Sequence, residues 1–147
     1  MPHLTGVIGP FGPLVSVYVI ASGPRQQALL AAGVTVPPGQ LANLLIDTGA
    51  GMTSIDTQIL SALGLPPTGT IPIHTPSTTA GATHIANTYD IGLLIPGAKV
   101  ATHFVQALPV IDGQFKHQGI DGLLGRDVLA LGRMIYSGFD SAFMLSF

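Results

Sequence analysis

The residues able to do chemistry form a short list. There is no glutamate and no cysteine, so every side-chain carboxylate is one of seven aspartates: Asp47, Asp56, Asp90, Asp112, Asp121, Asp127 and Asp140. Asp47 stands apart because Leu41-Ala42-Asn43-Leu44-Leu45-Ile46 runs into it and Thr48-Gly49-Ala50 follows. A carboxyl group leaving a dry strand for a tight turn holds its proton more firmly than one in water, and two such groups close together share a proton. Such a site suits general acid and base work. Taken alone, D-T-G is also an ordinary Asx-type turn.

Other chemistries lack their residues. The five histidines, His3, His74, His84, His103 and His117, fall at no zinc-binding spacing, and H-E-x-x-H is impossible without glutamate. No metal and no cofactor are expected. A G-x-S-x-G nucleophile elbow does not occur, and Gly9-Pro10-Phe11-Gly12-Pro13 lacks the lysine of a phosphate loop. Thiolate nucleophiles and disulfides are excluded by the missing cysteine.

The elements that must position Asp47 read mostly as strands. Leu14 to Ile20 is β-branched and alternating, which predicts a strand, while the glycine- and proline-punctuated stretch before it reads as loop. Gly23-Pro24 starts and Gly33 stops a short helix. Leu41 to Ile46 predicts a buried strand ending at the acidic motif. Ser54 to Leu63 predicts an irregular strand and a helical turn. Ile71 to Ile95 reads as two arms of a long hairpin around the small-residue tip Ser77 to Thr83, with a further arm from Val100 to Val110. Asp127 is placed to cap a short helix ending at Gly132, and Ala142 to Phe147 closes the chain as a strand. Many strands, little helix and no repeat predict an all-β protein.

At 147 residues the chain fits one domain, residues 1–147. Only 8% of residues are charged against 47% apolar, about a third of the charge of an average soluble domain. Such a surface leaves apolar area uncovered and predicts self-association. The five cations Arg25, Lys99, Lys116, Arg126 and Arg133 are scattered, which predicts no nucleic-acid partner. The uncharged run from Leu4 to Pro24 is broken by glycines and prolines and suits a membrane helix poorly. With no basic segment leading a secretory-type apolar run, a cytoplasmic location is expected.

Three elements in order carry a resemblance: Leu44-Leu45-Ile46-Asp47-Thr48-Gly49-Ala50, the hairpin around Gly81, and Leu123-Leu124-Gly125-Arg126-Asp127. Together they resemble the retroviral-type (retropepsin-like) aspartic peptidases, over most of residues 40 to 147. The Pro24–Gly33 segment, absent from the short viral enzymes, points to a cellular or bacterial relative. The resemblance implies a retropepsin-like acid protease barrel with a flap hairpin and a short C-terminal helix, active as a twofold homodimer. It implies that Asp47 is the catalytic carboxylate, that Thr48 ties two active-site loops together, and that Gly49 lets the substrate backbone approach. Ala50 and the flap residues Thr79, Ala80, Gly81 and Ala82 would contact substrate. Leu124 and Gly125 would pack beneath the catalytic loop, with Arg126 and Asp127 supporting it. Viral members place an acidic residue just after D-T-G-A. Here Gly51 and Met52 stand instead, so Arg126 needs another partner, for which Asp56 is the expected group.

The implied activity is endopeptidase cleavage of a peptide or protein substrate by water activated between two Asp47 carboxylates. Two alternatives stay open: a dimeric peptide-binding module of the same fold that cleaves weakly or not at all, and a structural oligomerisation domain.

Overall fold

The computed structural model describes residues 3–74, 83–98 and 102–147. Ten strands and three short helices follow in the order β1 (His3–Gly9), β2 (Gly12–Ala21), α1 (Gly23–Ala31), β3 (Gln40–Ile46), β4 (Ser54–Asp56), α2 (Thr57–Ala62), β5 (Gly69–Ile73), β6 (His84–Pro96), β7 (Thr102–Gly113), β8 (Gly122–Leu124), α3 (Arg126–Leu129), β9 (Arg133–Ser137) and β10 (Ala142–Ser146). A 3-10 turn at Lys116–Gln118 lies between β7 and β8.

The strands run β5-β6-β7-β4-β8-β3-β2-β1-β10-β9, and a further β6–β2 pairing closes the middle of this sheet on itself. The result is a barrel of β2, β6, β7, β4, β8 and β3, the closure of a sheet that removes its free edges. From it project the β5–β6 arm on one side and a three-stranded β1–β10–β9 extension on the other. Alternation decides what fills the barrel. On β2, Val15, Val17, Val19 and Ala21 point inward, meeting Ala42, Leu44 and Ile46 of β3 and Ile91, Leu93 and Ile95 of β6, all at most 6% exposed.

The all-β expectation holds, and helix α1 lies where Pro24 placed it, one residue earlier and capped by the Ser22 hydroxyl, which accepts from Arg25 N. Three readings need correction. Leu4–Gly9 is strand rather than loop, because β1 pairs along its length with β10, from His3↔Ser146 to Val7↔Ala142. Arg133–Ser137 forms β9, which the sequence did not single out. Asp127 is not a cap: Gly125 holds the N-cap position of α3, which ends at Leu129 instead of running to Gly132. The arms of the long hairpin are β5 and β6, paired from Gly69↔Thr88 to Ile73↔His84. Its tip, with Thr79, Ala80, Gly81 and Ala82, lies outside the described residues. Among the described residues no helix is long and apolar enough to cross a membrane.

A buried carboxylate fastens the barrel near the site. Asp56, 3% exposed, caps α2 through Gln58 N (2.9 Å) on Oδ1, while Oδ2 accepts from Phe115 N (2.7 Å) and Lys116 N (3.0 Å). Burial pushes its pKa up, but the three N–H donors and the Lys116 charge outweigh burial and hold it below the usual carboxylate range. With the folded value depressed, its stabilisation is complete above the unfolded value near pH 4 and is lost as pH falls through the folded one. Asp56→Asn therefore destabilises the fold by about 2–3 kcal/mol at neutral pH, because an amide turns an N–H toward N–H donors. Urea unfolding of variant and wild type should converge as pH drops below about 4.

Candidate active site

Asp47 emerges where β3 leaves the barrel. Its N–H donates to Leu124 O (3.0 Å), continuing the parallel β3–β8 pairing that ends at Ile46↔Leu124. Its Oδ1 accepts from Gly49 N (2.8 Å), and its carbonyl accepts from Ala50 N (3.2 Å). The Thr48–Gly49 turn is thus wrapped around the carboxylate, and a Cβ on Gly49 would sit 3.1 Å from Asp47 Oδ1. A side chain there would crowd the oxygen the turn is built to hold. Asp47 is half-buried, while Thr48 and Gly49 are exposed.

The second motif supports the first from beneath. Leu124 is fully buried and supplies the carbonyl for Asp47 N. Gly125 is needed because a Cβ would lie 2.6 Å from Met52 C and 2.9 Å from Thr53 N, inside any tolerable contact. Arg126 N donates to Ala50 O (2.9 Å), and its Nη1 donates to Thr48 O (2.8 Å). This corrects the expected Arg126–Asp56 pairing: Asp56 is consumed by three backbone donors, and the guanidinium grips the Asp47 turn through a carbonyl. Gly51 lies beside it, where a Cβ would meet Arg126 Nη2 at 3.6 Å, an ordinary contact.

Thr53 was missed by the sequence reading. Fully buried, it accepts from Gly125 N (3.1 Å) through its hydroxyl and donates to Asp127 Oδ1 (2.7 Å), while its own N–H donates to Asp127 Oδ2 (2.9 Å). Asp127 therefore locks Thr53, and Thr53 locks Gly125. The signal was faint: a hydroxyl six residues past Asp47 has no partner nearer than 72 positions away. Thr53→Val keeps the shape but strands the Gly125 N–H in a buried place, so thermal unfolding should show a loss of about 2 kcal/mol that Thr53→Ser largely restores.

Asp47, Gly49 and Ala50 open onto a cleft of about 670 Å³, walled by Met52, Ile73, Ile111, Phe115 and Leu123 and reached by His74 and His84 from the β5–β6 arm. Its volume is that of a peptide or drug-sized ligand site, apolar with a few polar groups. A second concavity of about 570 Å³, between Phe11, Leu45 and His117–Ile120, contains no carboxylate. Among the described residues no cluster of three histidines or aspartates could hold a metal ion. Asp112 lines the cleft too, but both its oxygens accept from Asn87 (2.9 Å each), whereas Asp47 accepts only from Gly49 N among the described residues.

A family model described as Aspartyl protease matches residues 32–128, more than half of the chain, and includes both motifs. No curated protein matches by sequence. Among solved structures, a retropepsin-like aspartic protease from Rickettsia conorii is similar, with a TM-score of 0.55 and 12% identity over 97% of this chain and 89% of that one. At that identity the likeness speaks for the fold, and the family model for the lineage. The chain thus belongs to the aspartyl protease family and carries the retropepsin-like fold.

Proposed function

We propose that the chain is an aspartic endopeptidase whose active site is completed by a second copy, each contributing Asp47. The observation that carries this reading is Asp47 on a peptide-sized cleft, its turn held by hydrogen bonds from both sides, while the other carboxylate of the cleft, Asp112, is taken up by Asn87. One carboxyl cannot be general base toward water and general acid toward the scissile carbonyl oxygen in the same step. Two related by a twofold axis can: they share one proton, the ionised member takes a proton from the attacking water, and the protonated member donates to the oxygen. Neither a covalent intermediate nor a metal is needed. Thr48 belongs to the same picture. Among the described residues its hydroxyl has no partner within the chain, which leaves it free for the corresponding loop of the second copy. Peptide in extended form would lie along the cleft under the β5–β6 arm, main chain paired and apolar side chains in the walls.

Mixing distinguishes this site from one complete in a single chain. Equal amounts of wild type and Asp47→Asn, allowed to exchange subunits, give about a quarter doubly wild-type and about half mixed dimers. Mixed dimers keep one carboxylate and should be nearly inert, so activity per wild-type chain should fall to about half. Unchanged activity after demonstrated exchange refutes the shared site. Tight peptide binding by wild type without cleavage across acidic to neutral pH would instead favour the peptide-binding module.

A further inference from the structure

Strand β9 sits at the end of the sheet and, among the described residues, pairs only with β10. Edge strands of stable monomers are usually blunted by proline, lysine, a bulge or a covering loop. Arg133-Met134-Ile135-Tyr136-Ser137 has no proline and no lysine, and its pairing with β10 runs without a register shift. Adjacent residues point to opposite faces of a strand. Yet Ile135 is 48% exposed on one face and Tyr136 57% exposed on the other, flanked by Leu131 at 51% and Phe139 at 99%. Both faces and the free edge therefore need cover at once, which an added strand supplies and a packed helix does not.

Resting on the two-copy reading above, we infer that β9 is the joining strand, paired antiparallel with β9 of a second copy about a twofold axis at Ile135. The strand is complementary to itself in that register. Each of its five residues finds a partner: Ile135 meets Ile135 of the partner subunit, Met134 meets the partner's Tyr136, and Arg133 meets the partner's Ser137. Ser137 Oγ donates to Asp140 Oδ2 (2.6 Å), so the partner's Asp140 is carried to the Arg133 guanidinium, which has no ion pair among the described residues. Twofold symmetry makes the off-axis contacts twice and the Ile135 contact once. The placement also suits the site, because β9 begins seven residues after Arg126, whose side chain holds Thr48 O.

The chain contains no cysteine, so a single introduced one reports geometry directly. Directly opposed residues of an antiparallel pair lie about 4.5–5.5 Å apart at Cα, within disulfide reach. Ile135→Cys should give a covalent dimer on mild oxidation, while Val34→Cys, equally exposed but distant in the fold, should not. In sedimentation equilibrium, Arg133→Asp or Asp140→Arg alone should weaken the dimer about tenfold or more, and the double reversal should recover most of the loss. If the wild type is dimeric but Ile135→Cys fails to cross-link, or the double reversal fails to rescue, the interface lies elsewhere and this inference falls while the shared site stands. An active protein that stays monomeric overturns both. Thermal unfolding of each variant near that of wild type confirms that folding is not the cause.

Discussion

Asp47→Asn should lower kcat/KM by at least about 10³-fold while leaving the fold and peptide binding nearly intact, because general acid–base groups contribute about 10²–10⁴-fold and both halves of the dyad are lost together. Asparagine has the size of aspartate, and its carbonyl oxygen can still accept from Gly49 N at the position of Oδ1. The turn should therefore survive, with thermal stability within about 1 kcal/mol of wild type. What disappears is the proton: an amide neither takes one from water nor gives one to a carbonyl oxygen. The loss should appear in kcat, with KM changed little, because substrate side chains still find the apolar walls. Cleavage within about tenfold of wild type would show that another group carries the reaction.

Gly122→Ala should be the most damaging substitution to stability, costing more than about 4 kcal/mol and leaving a typical domain of 5–15 kcal/mol stability barely folded. Strand β8 is threaded between β3 and β4, so Gly122 pairs with Leu44 on one side and Ile55 on the other. A Cβ at Gly122 would lie 2.1 Å from Ser54 O and 3.1 Å from Leu44 Cδ2, and its φ of +154° is one that side-chain-bearing residues rarely adopt. Relief requires β8 to part from β4 and press against β3, which disturbs the ladder that ends in the Asp47 N to Leu124 O bond and links the fold defect to the site. Gly119→Ala is the control. Its φ of +77° carries the left-handed penalty of about 1–2 kcal/mol, but its nearest neighbour is 4.0 Å away, so soluble, folded protein is expected. Chemical denaturation of the two variants should separate them by about 2 kcal/mol or more. Equal stability would mean that β8 has slack that the close approach to Ser54 O denies.

Much of the molecule was readable because its signals are local. Alternating aliphatics gave β2 and β3, a proline and a glycine bracketed α1, and a tight turn directly after a buried strand picked out Asp47 from seven aspartates. The second motif was readable as well, since Leu124, Gly125 and Arg126 are each recognisable by type and spacing. Strand β1 was not. Its glycines and the Gly-Pro turn at its end read as loop, and it becomes a strand because β10, some 140 positions later, offers a full ladder of partners. Strand β9 escaped for the same reason.

The supporting bonds of the site divide along that line. The sequence determined which carboxylate the turn is built around and that a glycine must follow it two residues on, because a turn around a carboxylate is decided by neighbours in the chain. Only the tertiary structure decided that Arg126 turns to Thr48 O rather than to Asp56, that Asp56 is spent on the Phe115–Lys116 turn, and that Thr53 links Gly125 to Asp127. Each of those bonds joins residues 59 to 78 positions apart. Buried polar groups take whichever partner the packed strands bring within about 3 Å, and no local pattern records which one that will be.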